Sequence, residues 1–380
     1  MSTKRASRRN FLKTSAAMAA GALFFDRRLA AQETPAKKEG AGKKILILGG
    51  TGFLGPAVVE AAKARGHVLT LFNRGKTNPH LFPELEKIQG DRNKDLEKLK
   101  GRTWDAVVDT SAYYPRQVDA SAGLLKEAVK QYVFISSISV YPDIETKDTD
   151  EKSTVATLTA EEAAAAKRVT EANYGALKAL SEAAAEKHLP GRTTNIRPGL
   201  IVGPGDETDR FSYWPLRVRD GGEVLCPGAP AHAVQYIDVR DLGRWIVHCI
   251  ETGIVGVFNA LGPSKPMPMG DLLKTCKDVA KSDATLVWAD AEFLAAEKVT
   301  PWGDMPLWIP PTKELGRCAI CSCEKAVKAG LVFRPLSDTV KDLLTWFDAE
   351  RKDDKKIRAG ISREREKEVL AAWKAKKAVK

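Results

Sequence analysis

The sequence predicts an α/β fold in which helices cover both faces of a parallel β-sheet, with a smaller C-terminal lobe. Short runs of consecutive apolar residues alternate with helical patterns, as expected for strands that are buried on both faces. The first run, Ile45–Leu48, leads directly into a turn rich in glycine. With 380 residues, of which 43 % are apolar, the chain is long enough for one large α/β domain with an appended lobe.

The glycine-rich turn predicts a dinucleotide-binding site. The helical pattern Ala57–Arg65 follows the turn, and Gly66 ends it. Of the glycines at 49, 52 and 55, one would permit the tight turn, one would remove the Cβ that blocks a pyrophosphate, and one would let helix and strand pack closely. The helix N-terminus adds unpaired N–H groups and a partial positive charge. A strand before the glycines and a helix after them therefore predict a Rossmann-type, doubly wound sheet.

The end of the second predicted strand bears on the choice of cofactor. This strand, His67–Phe72, is followed by Asn73, Arg74 and Gly75. An acidic residue here would accept hydrogen bonds from the adenosine ribose and favour NAD, but none is present. Arg74 could pair with a 2′-phosphate, which favours NADP. The alternative, in which Arg74 stacks on adenine or faces solvent, stays open.

Further cofactor contacts are expected at the carboxyl ends of later strands, where ligands collect in open α/β sheets. Asp91 and Arg92 follow the short third strand, and Asp91 could accept a hydrogen bond from the adenine amino group. The fourth predicted strand, Trp104–Asp109, ends at Thr110 and Ser111. The residues expected to bind the cofactor, NAD or NADP, are Gly49, Thr51, Gly52, Phe53, Leu54, Gly55, Asn73, Arg74, Asp91, Arg92, Thr110 and Ser111.

Four further segments stand in an order that resembles one enzyme family. A helix over 124–130 is predicted to precede the fifth strand, 131–135. After that strand come Ser136–Tyr141, Tyr174–Lys178 (Y-x-x-x-K), Asn195–Asp206 (R-P-x-x-x-x-G-P-G) and Tyr236–Asp241. Together with the glycine turn, these motifs resemble the extended short-chain dehydrogenase/reductases of the NAD-dependent epimerase/dehydratase group, over residues 43–347. The resemblance implies a dinucleotide-binding domain over 43–205 and mainly a substrate lobe over 206–347, with 236–260 returning to the first domain.

The Y-x-x-x-K motif predicts the catalytic residues. Tyr174 and Lys178, four positions apart, share one face of a helix. The lysine ammonium can stabilise a phenolate and lower the tyrosine pKa. Tyr174 would then act as a base toward a hydroxyl group or as an acid toward a carbonyl group. The resemblance further implies that Lys178 holds the nicotinamide ribose and that Ser137 forms a hydrogen bond with the reacting oxygen.

The resemblance also implies that the C-terminal third supplies the pocket for a sugar-like small molecule. Candidate segments are Asp209–Pro215, Cys226–Gln235 and Trp288–Pro311. Within them His232 and Trp302 are the candidate substrate contacts, since aromatic faces stack on sugar rings. The alternative, in which these side chains only pack an irregular lobe, stays open. A helix predicted over 160–167 could form a lid.

The N-terminal segment predicts an export signal. Arg8 and Arg9, followed by Phe11, Leu12 and Lys13 and then by an uncharged stretch, resemble a twin-arginine (Tat) signal over residues 1–31, with a linker over 32–42. The Tat export machinery would then be a partner, and the protein would be periplasmic, or membrane-anchored if the signal is not cleaved. Because this route carries folded proteins, the cofactor would have to be tightly bound. The alternative is a basic disordered tail.

The net charge of +11 lies in the two ends of the chain. Residues 1–31 carry a net charge of +6, from seven basic and one acidic side chain, and residues 348–380 carry +5, from twelve basic and seven acidic. A nucleic-acid groove would need a basic excess on the folded body, so nucleic acid is not expected as a partner. The charged tail over 348–380 predicts a solvated helix, or one that docks a single face through Val369, Leu370 and Trp373.

Other classes of protein find little support. No run of 18 apolar residues predicts a membrane-spanning helix. Cys318, Cys321 and Cys323 lie close together but lack the second pair of ligands that a zinc site needs, so no metal is expected.

These observations favour an NAD(P)-dependent oxidoreductase or epimerase that acts on a hydroxyl or keto group of a sugar-like substrate. The alternative is a nucleotide-binding atypical member with little turnover, as among the chloroplast stem-loop RNA-binding proteins that the glycine turn also resembles. A third possibility is a cytoplasmic reductase that uses NADPH. A homodimer stays open.

Overall fold

The computed structural model describes residues 42–351 and 356–378. The expected signal segment 1–31, and all but the last residue of the expected linker 32–42, lie outside these residues. The described strands are β1 Lys44–Leu48, β2 Val68–Asn73, β3 Glu86–Gln89, β4 Trp104–Asp109, β5 Val129–Ile135, β6 Thr193–Pro198, β7 Ile201–Val202, β8 Glu223–Pro227, β9 Ala233–Asp238, β10 Gly256–Ala260, β11 Gly262–Pro268 and β12 Thr285–Ala289. The described helices are α1 Leu54–Ala64, α2 Pro115–Leu125, α3 Ala160–Ala165, α4 Glu171–His188, α5 Tyr213–Arg219, α6 Val239–Thr252, α7 Met269–Ala280, α8 Ala291–Ala296, α9 Glu324–Lys328, α10 Leu336–Glu350 and α11 Arg363–Ala378.

A parallel sheet of seven strands, in the order β10-β6-β5-β4-β1-β2-β3, forms the centre of the larger lobe. Helices α1 and α6 cover one face of the sheet, and α2 and α4 cover the other, with a separate apolar core on each side. The Rossmann-type, doubly wound parallel sheet predicted from the sequence is confirmed. The chain runs from β1 to β2 and β3 on one side and returns to β4 on the other, so a crevice opens between the carboxyl ends of β1 and β4.

One predicted element is wrong. The sequence pattern placed a helix over 124–130, whereas α2 begins at Pro115 and ends at Leu125. The Gln117 side chain accepts a hydrogen bond from the backbone N–H of Tyr114, and this capping starts the helix earlier. Val129 already pairs with Trp104 in the parallel ladder, because hydrogen bonding to β4 outweighs the local helical pattern.

The smaller lobe has its own core, built around the fully buried side chains of Trp214 and Trp308. Strands β8 and β12 pair in parallel, and β9 pairs with β7 and β11. Helix α11 buries Val369, Leu370 and Trp373 in this core. One face of the charged C-terminal segment is therefore part of the lobe, and its other face is solvated. No helix within 42–351 and 356–378 is long and apolar enough to cross a membrane.

Candidate active site

A cleft of about 690 Å³ lies at the carboxyl ends of β1, β2, β4 and β5 and continues into the smaller lobe. It brings together every residue predicted from the sequence to bind the cofactor or to act in catalysis, and also Trp302. The predicted residues that line it are Gly49, Thr51, Gly52, Phe53, Leu54, Gly55, Asn73, Arg74, Asp91, Arg92, Thr110, Ser111, Ser137, Tyr174, Lys178 and Trp302. His232 does not line the cleft, and neither does any residue of α3, the helix expected as a lid.

The three glycines of the turn differ in what a Cβ atom would meet. Gly49 has a φ of +98°, which permits the turn. A Cβ on Gly52 would have no atom within 4 Å, so this backbone is open to the cleft. A Cβ on Gly55 would lie 2.4 Å from the carbonyl oxygen of Gly49, so only glycine lets α1 start this close to β1. The backbone at Gly52 and the start of α1 therefore fit a pyrophosphate.

This difference predicts that alanine at position 55 lowers stability, whereas alanine at position 52 weakens nucleotide binding. We expect Gly55→Ala to lower the free energy of unfolding by about 1–3 kcal/mol, because its Cβ overlaps the backbone of the turn. We expect Gly52→Ala to leave that free energy unchanged and to weaken nucleotide binding about tenfold. Chemical denaturation and NAD titration measure the two effects. Equal stability losses in both variants would contradict the assignment.

The end of the cleft that is predicted to bind the adenosine lies at the end of β2. The side-chain oxygen of Asn73 accepts a hydrogen bond from the Gly75 N–H at 3.1 Å, while its buried Nδ2 has no partner among the described residues. Hydrogen bonds from the backbone and side chain of Asn93 lower the pKa of Asp91, and the nearby charge of Arg74 contributes. This end of the cleft therefore offers a ligand an unpaired amide donor at Asn73 and an ionised carboxylate acceptor at Asp91.

Arg92 serves chiefly to support the cleft. Its guanidinium donates two hydrogen bonds of 2.7 Å to the buried carboxylate of Asp109, which also accepts one from Tyr132 at 2.7 Å. Arg92 also donates to the Ser111 hydroxyl at 3.1 Å. Only its Nε, buried and unpartnered in the described chain, remains for a ligand. Thr110 holds the turn from the other side, since its hydroxyl donates to the carbonyl of Leu48 at 3.0 Å.

The catalytic residues predicted from the sequence meet at the centre of the cleft. Burial raises the pKa of Tyr174, and the nearby Ser137 hydroxyl partly offsets this rise. Ser137 is held in turn by the backbone N–H of Ser139, which donates to its Oγ at 3.1 Å. The phenol of Tyr174 and the hydroxyl of Ser137 therefore face the same space.

The expected influence of Lys178 on Tyr174 is not found. The Lys178 Nζ donates to the backbone carbonyls of Ala112, at 2.9 Å, and Ile135, at 2.6 Å. Burial lowers the pKa of Lys178 to about 7, so its positive charge is only partial at neutral pH. The pKa of Tyr174 is raised rather than lowered, because burial of the phenol outweighs the lowering by Ser137 and by the charge of Arg210.

The low pKa of Lys178 predicts a pH dependence of stability. Above about pH 7 and below about pH 10, the unfolded chain binds a proton at Lys178 that the folded chain does not. Stability should therefore rise with pH in this window, by at most about 1.4 kcal/mol per pH unit from this group. We expect Lys178→Met to remove this rise, whereas Lys152→Met, at an exposed lysine, should keep it. Urea denaturation across the window measures the slopes. An unchanged slope in Lys178→Met would contradict the prediction.

Some lining residues were not predicted individually. Tyr113 follows Ala112 at the end of β4, and its ring centre lies 6.4 Å from that of Tyr174. Asp206, Thr208 and Arg210 follow the glycines of the G-P-G motif and line the cleft on the side of the smaller lobe. Of these, Arg210 lies in the candidate substrate segment Asp209–Pro215 and Asp206 ends the G-P-G motif, whereas no sequence pattern indicated Thr208.

The His232 side chain is held by contacts with Trp308 and the Ala229 backbone outside the cleft. Its Nδ1 accepts a hydrogen bond from the indole Nε1 of Trp308 at 3.1 Å and lies 3.3 Å from the Ala229 N–H. Burial lowers the pKa of His232. The buried thiols of Cys318, Cys321 and Cys323 form no disulfide, and the described residues contain no cluster of side chains that could hold a metal ion.

Comparison with known proteins identifies the family. The model of the NAD-dependent epimerase/dehydratase family matches residues 45–260, which is more than half of the chain. The chain belongs to this family. The matched region contains the glycine turn, Ser137, Tyr174 and Lys178 and reaches the end of β10. This member of the family extends beyond the match through the loop that carries Trp302 and through α11.

Two known proteins are similar to this chain in sequence, and a solved structure is similar to it in fold. The epimerase family protein SDR39U1 of Bos taurus is 26% identical over 240 residues, which cover 58% of this chain and 75% of that protein. The chloroplast stem-loop binding protein of 41 kDa b of Arabidopsis thaliana is 26% identical over 262 residues, 62% of each chain. The crystal structure of UDP-glucuronic acid 4-epimerase from Bacillus cereus, in complex with NAD, aligns with a TM-score of 0.58 at 16% identity and covers 80% of this chain and 99% of that one. At this identity the structural likeness shows the fold.

Proposed function

We propose that the protein is an NAD(P)-dependent oxidoreductase or epimerase that acts on a hydroxyl or keto group of a sugar-like substrate. The observation that carries the proposal is that Ser137, Tyr174 and Lys178 line the same cleft as the glycine turn, with the Ser137 hydroxyl near enough to act on the pKa of the Tyr174 phenol. Membership of the family and the fold shared with a sugar-nucleotide epimerase that binds NAD support it.

The side chains of the cleft have distinct roles in this proposal. When bound, the nicotinamide ring supplies a hydride acceptor and donor. Tyr174, whose pKa is raised by burial, keeps its proton at neutral pH and donates it to a substrate carbonyl oxygen. In the opposite direction the phenolate, the form of Tyr174 that remains after this donation, accepts the proton of a substrate hydroxyl and returns to the phenol. Ser137 donates a hydrogen bond to the same substrate oxygen. Lys178, whose Nζ is held by two backbone carbonyls, binds the ribose hydroxyls of the nucleotide.

The choice between NAD and NADP depends in this proposal on Arg74. It lines the cleft beside Asn73, together with Lys76, at the strand end where the adenosine ribose binds in this fold. We expect NADP to bind more tightly than NAD and Arg74→Ser to weaken NADP binding by roughly tenfold or more, with NAD binding nearly unchanged. Lys94→Ser, an exposed lysine outside the cleft, is the matched charge control. Isothermal titration measures both affinities, and equal losses for the two nucleotides would contradict a role at the 2′-phosphate.

The proposal includes export by the Tat route, directed by residues 1–31. The exported protein would be periplasmic, or anchored in the membrane by an uncleaved signal. An exported enzyme has no ready supply of soluble reduced cofactor, so a bound nucleotide that is regenerated in each cycle fits this location. The test is to purify the protein from the exported fraction, release any bound nucleotide and identify it by absorbance and mass. Retained NAD(P)(H), together with its reduction by a sugar, is the expected result. A chain that neither retains nor binds either nucleotide would overturn the proposal.

A further inference from the structure

The cleft continues beyond Tyr174 to a group of side chains that the proposed hydride transfer does not use. We call Asp206, Arg210 and Trp302 the Arg210 subsite; all three line the cleft. Asp206 and Arg210 lie on the loop that follows β7, and Trp302 lies on the loop that follows α8. Residues almost a hundred positions apart therefore form one wall.

Asp206 presents a buried acceptor with no partner. The residue is 1 % exposed, and its Oδ1 accepts hydrogen bonds from the backbone N–H and the hydroxyl of Thr208, at 2.9 and 2.7 Å. Its Oδ2 is buried and has no hydrogen-bond partner among the described residues. A buried acceptor without a donor is costly, so a hydroxyl group of a bound molecule would supply the donor that the protein lacks.

Arg210 presents a cation with no ionic partner. Its Nε donates to the Thr208 hydroxyl at 3.2 Å, and within residues 42–351 and 356–378 it forms no ion pair, although its charge lowers the pKa of the Asp206 carboxyl in part, against the rise that burial causes. The guanidinium carbon lies 6.0 Å from the centre of the Trp302 ring, within the range of a cation–π contact. Arg210 and Tyr174 line the same cleft, and the charge of Arg210 offsets a small part of the rise in the pKa of Tyr174 that burial causes, so the cation and the phenol are close enough to act on one molecule.

The C-terminal segment holds both loops in place. Asp209, next to Arg210, has a φ of +59°, and its buried carboxylate accepts hydrogen bonds from the Arg351 side chain, at 2.7 Å, and the Arg358 N–H, at 3.0 Å. Trp302 has a φ of +61°, and the Ile361 N–H donates to the carbonyl of Asp304 in the same loop at 2.9 Å. Strained backbone that the surrounding structure maintains in this way is common at ligand sites.

We propose that Asp206, Arg210 and Trp302 bind an anionic sugar, with Arg210 on its carboxylate or phosphate group, Asp206 on a hydroxyl group and the Trp302 ring against the sugar. A guanidinium pairs with either anion through two parallel hydrogen bonds, and an indole face stacks on a pyranose ring. This inference rests on the proposed function, because Tyr174 acts on the same bound sugar. It adds the charge of the substrate, which the catalytic residues leave open.

The test compares sugars that differ in the charge on the sugar ring. The full chain, saturated with NAD, is titrated calorimetrically with glucose, glucuronate and glucose 6-phosphate, and also with UDP-glucose and UDP-glucuronate. We expect the member of each set whose sugar ring carries a carboxylate or phosphate to bind roughly ten- to hundredfold more tightly than the member whose ring is uncharged. Glucuronate and glucose 6-phosphate distinguish a carboxylate from a phosphate as the preferred anion.

Three variants separate this subsite from the rest of the cleft. Arg210→Gln should abolish the preference for the anion with NAD affinity unchanged, and Arg116→Gln, at an exposed arginine outside the cleft, should retain it. Asp206→Asn, which keeps the acceptor for Thr208 but turns the unpaired oxygen into a donor, should weaken neutral and anionic sugars alike. Equal binding of neutral and anionic sugars, no binding of any anionic sugar, or loss of NAD affinity in Arg210→Gln would overturn the inference. Failure of the wild-type chain to bind NAD would contradict the proposed function instead, and titration of the free chain would still decide the subsite.

Discussion

Replacement of Tyr174 by phenylalanine should lower kcat by roughly 100- to 10,000-fold, the usual contribution of a general acid–base group. The substitution removes only the phenolic hydroxyl, which lines the cleft together with Ser137. The ring remains, so the fold and the affinity for NAD should not change. Stopped-flow or steady-state measurement of nucleotide reduction by the preferred sugar gives kcat, and equilibrium titration gives the affinity for NAD.

Tyr213→Phe is the matched control for this prediction. Tyr213 is also buried, but it lies outside the cleft and its hydroxyl has no hydrogen-bond partner among the described residues. Its loss should leave kcat nearly unchanged. Comparable activity of Tyr174→Phe and wild type would remove Tyr174 from the chemistry and, with it, the basis of the proposed function.

Replacement of Glu366 by glutamine should lower the free energy of unfolding by about 3 kcal/mol, because it leaves a buried arginine without a counter-ion. The Glu366 carboxylate accepts hydrogen bonds from the Arg217 Nε at 2.7 and 2.8 Å and from the Leu225 N–H at 3.0 Å. The side chains of both partners are almost completely buried, at 7 % and 2 % exposure. This ion pair ties α11 to α5 and β8 and so supports the smaller lobe.

Glu368→Gln tests whether burial is the cause. Glu368 lies on the same helix and pairs with Arg365, but its side chain is 65 % exposed. Loss of an exposed pair usually costs less than about 1 kcal/mol. Urea denaturation followed by tryptophan fluorescence measures both variants. Equal effects of the two substitutions would show that the Arg217–Glu366 pair does not stabilise the lobe.

The larger lobe and the position of its cleft were predictable from the sequence because their signals are local. A buried strand, a glycine turn and a helix follow one another within about twenty residues, and each requires only its own φ/ψ preferences and apolar period. The backbone at Gly49 and Gly55 behaves as these local requirements demand. The parallel order of the strands follows from the crossover connections between them.

The interactions of individual side chains were less predictable. The four-residue spacing of Tyr174 and Lys178 correctly puts both in the cleft, but it does not show which group the lysine binds. The carbonyls of Ala112 and Ile135, 66 and 43 positions away along the chain, take its hydrogen bonds, and burial lowers its pKa. A pKa depends on solvent exclusion and on distant partners, neither of which the local pattern encodes.

In the C-terminal half, too, the sequence determined the local structure, and tertiary packing determined the contacts of individual side chains. Its sequence alone determined that the end of the chain is charged, helical and apolar along one narrow stripe. Only the tertiary structure decided that this stripe packs into the smaller lobe, that Glu366 neutralises Arg217, and that the preceding segment holds the loops of Arg210 and Trp302. Helix formation follows from neighbours three and four residues apart, whereas the partner of a buried charge is set by where the packed chain leaves room for one.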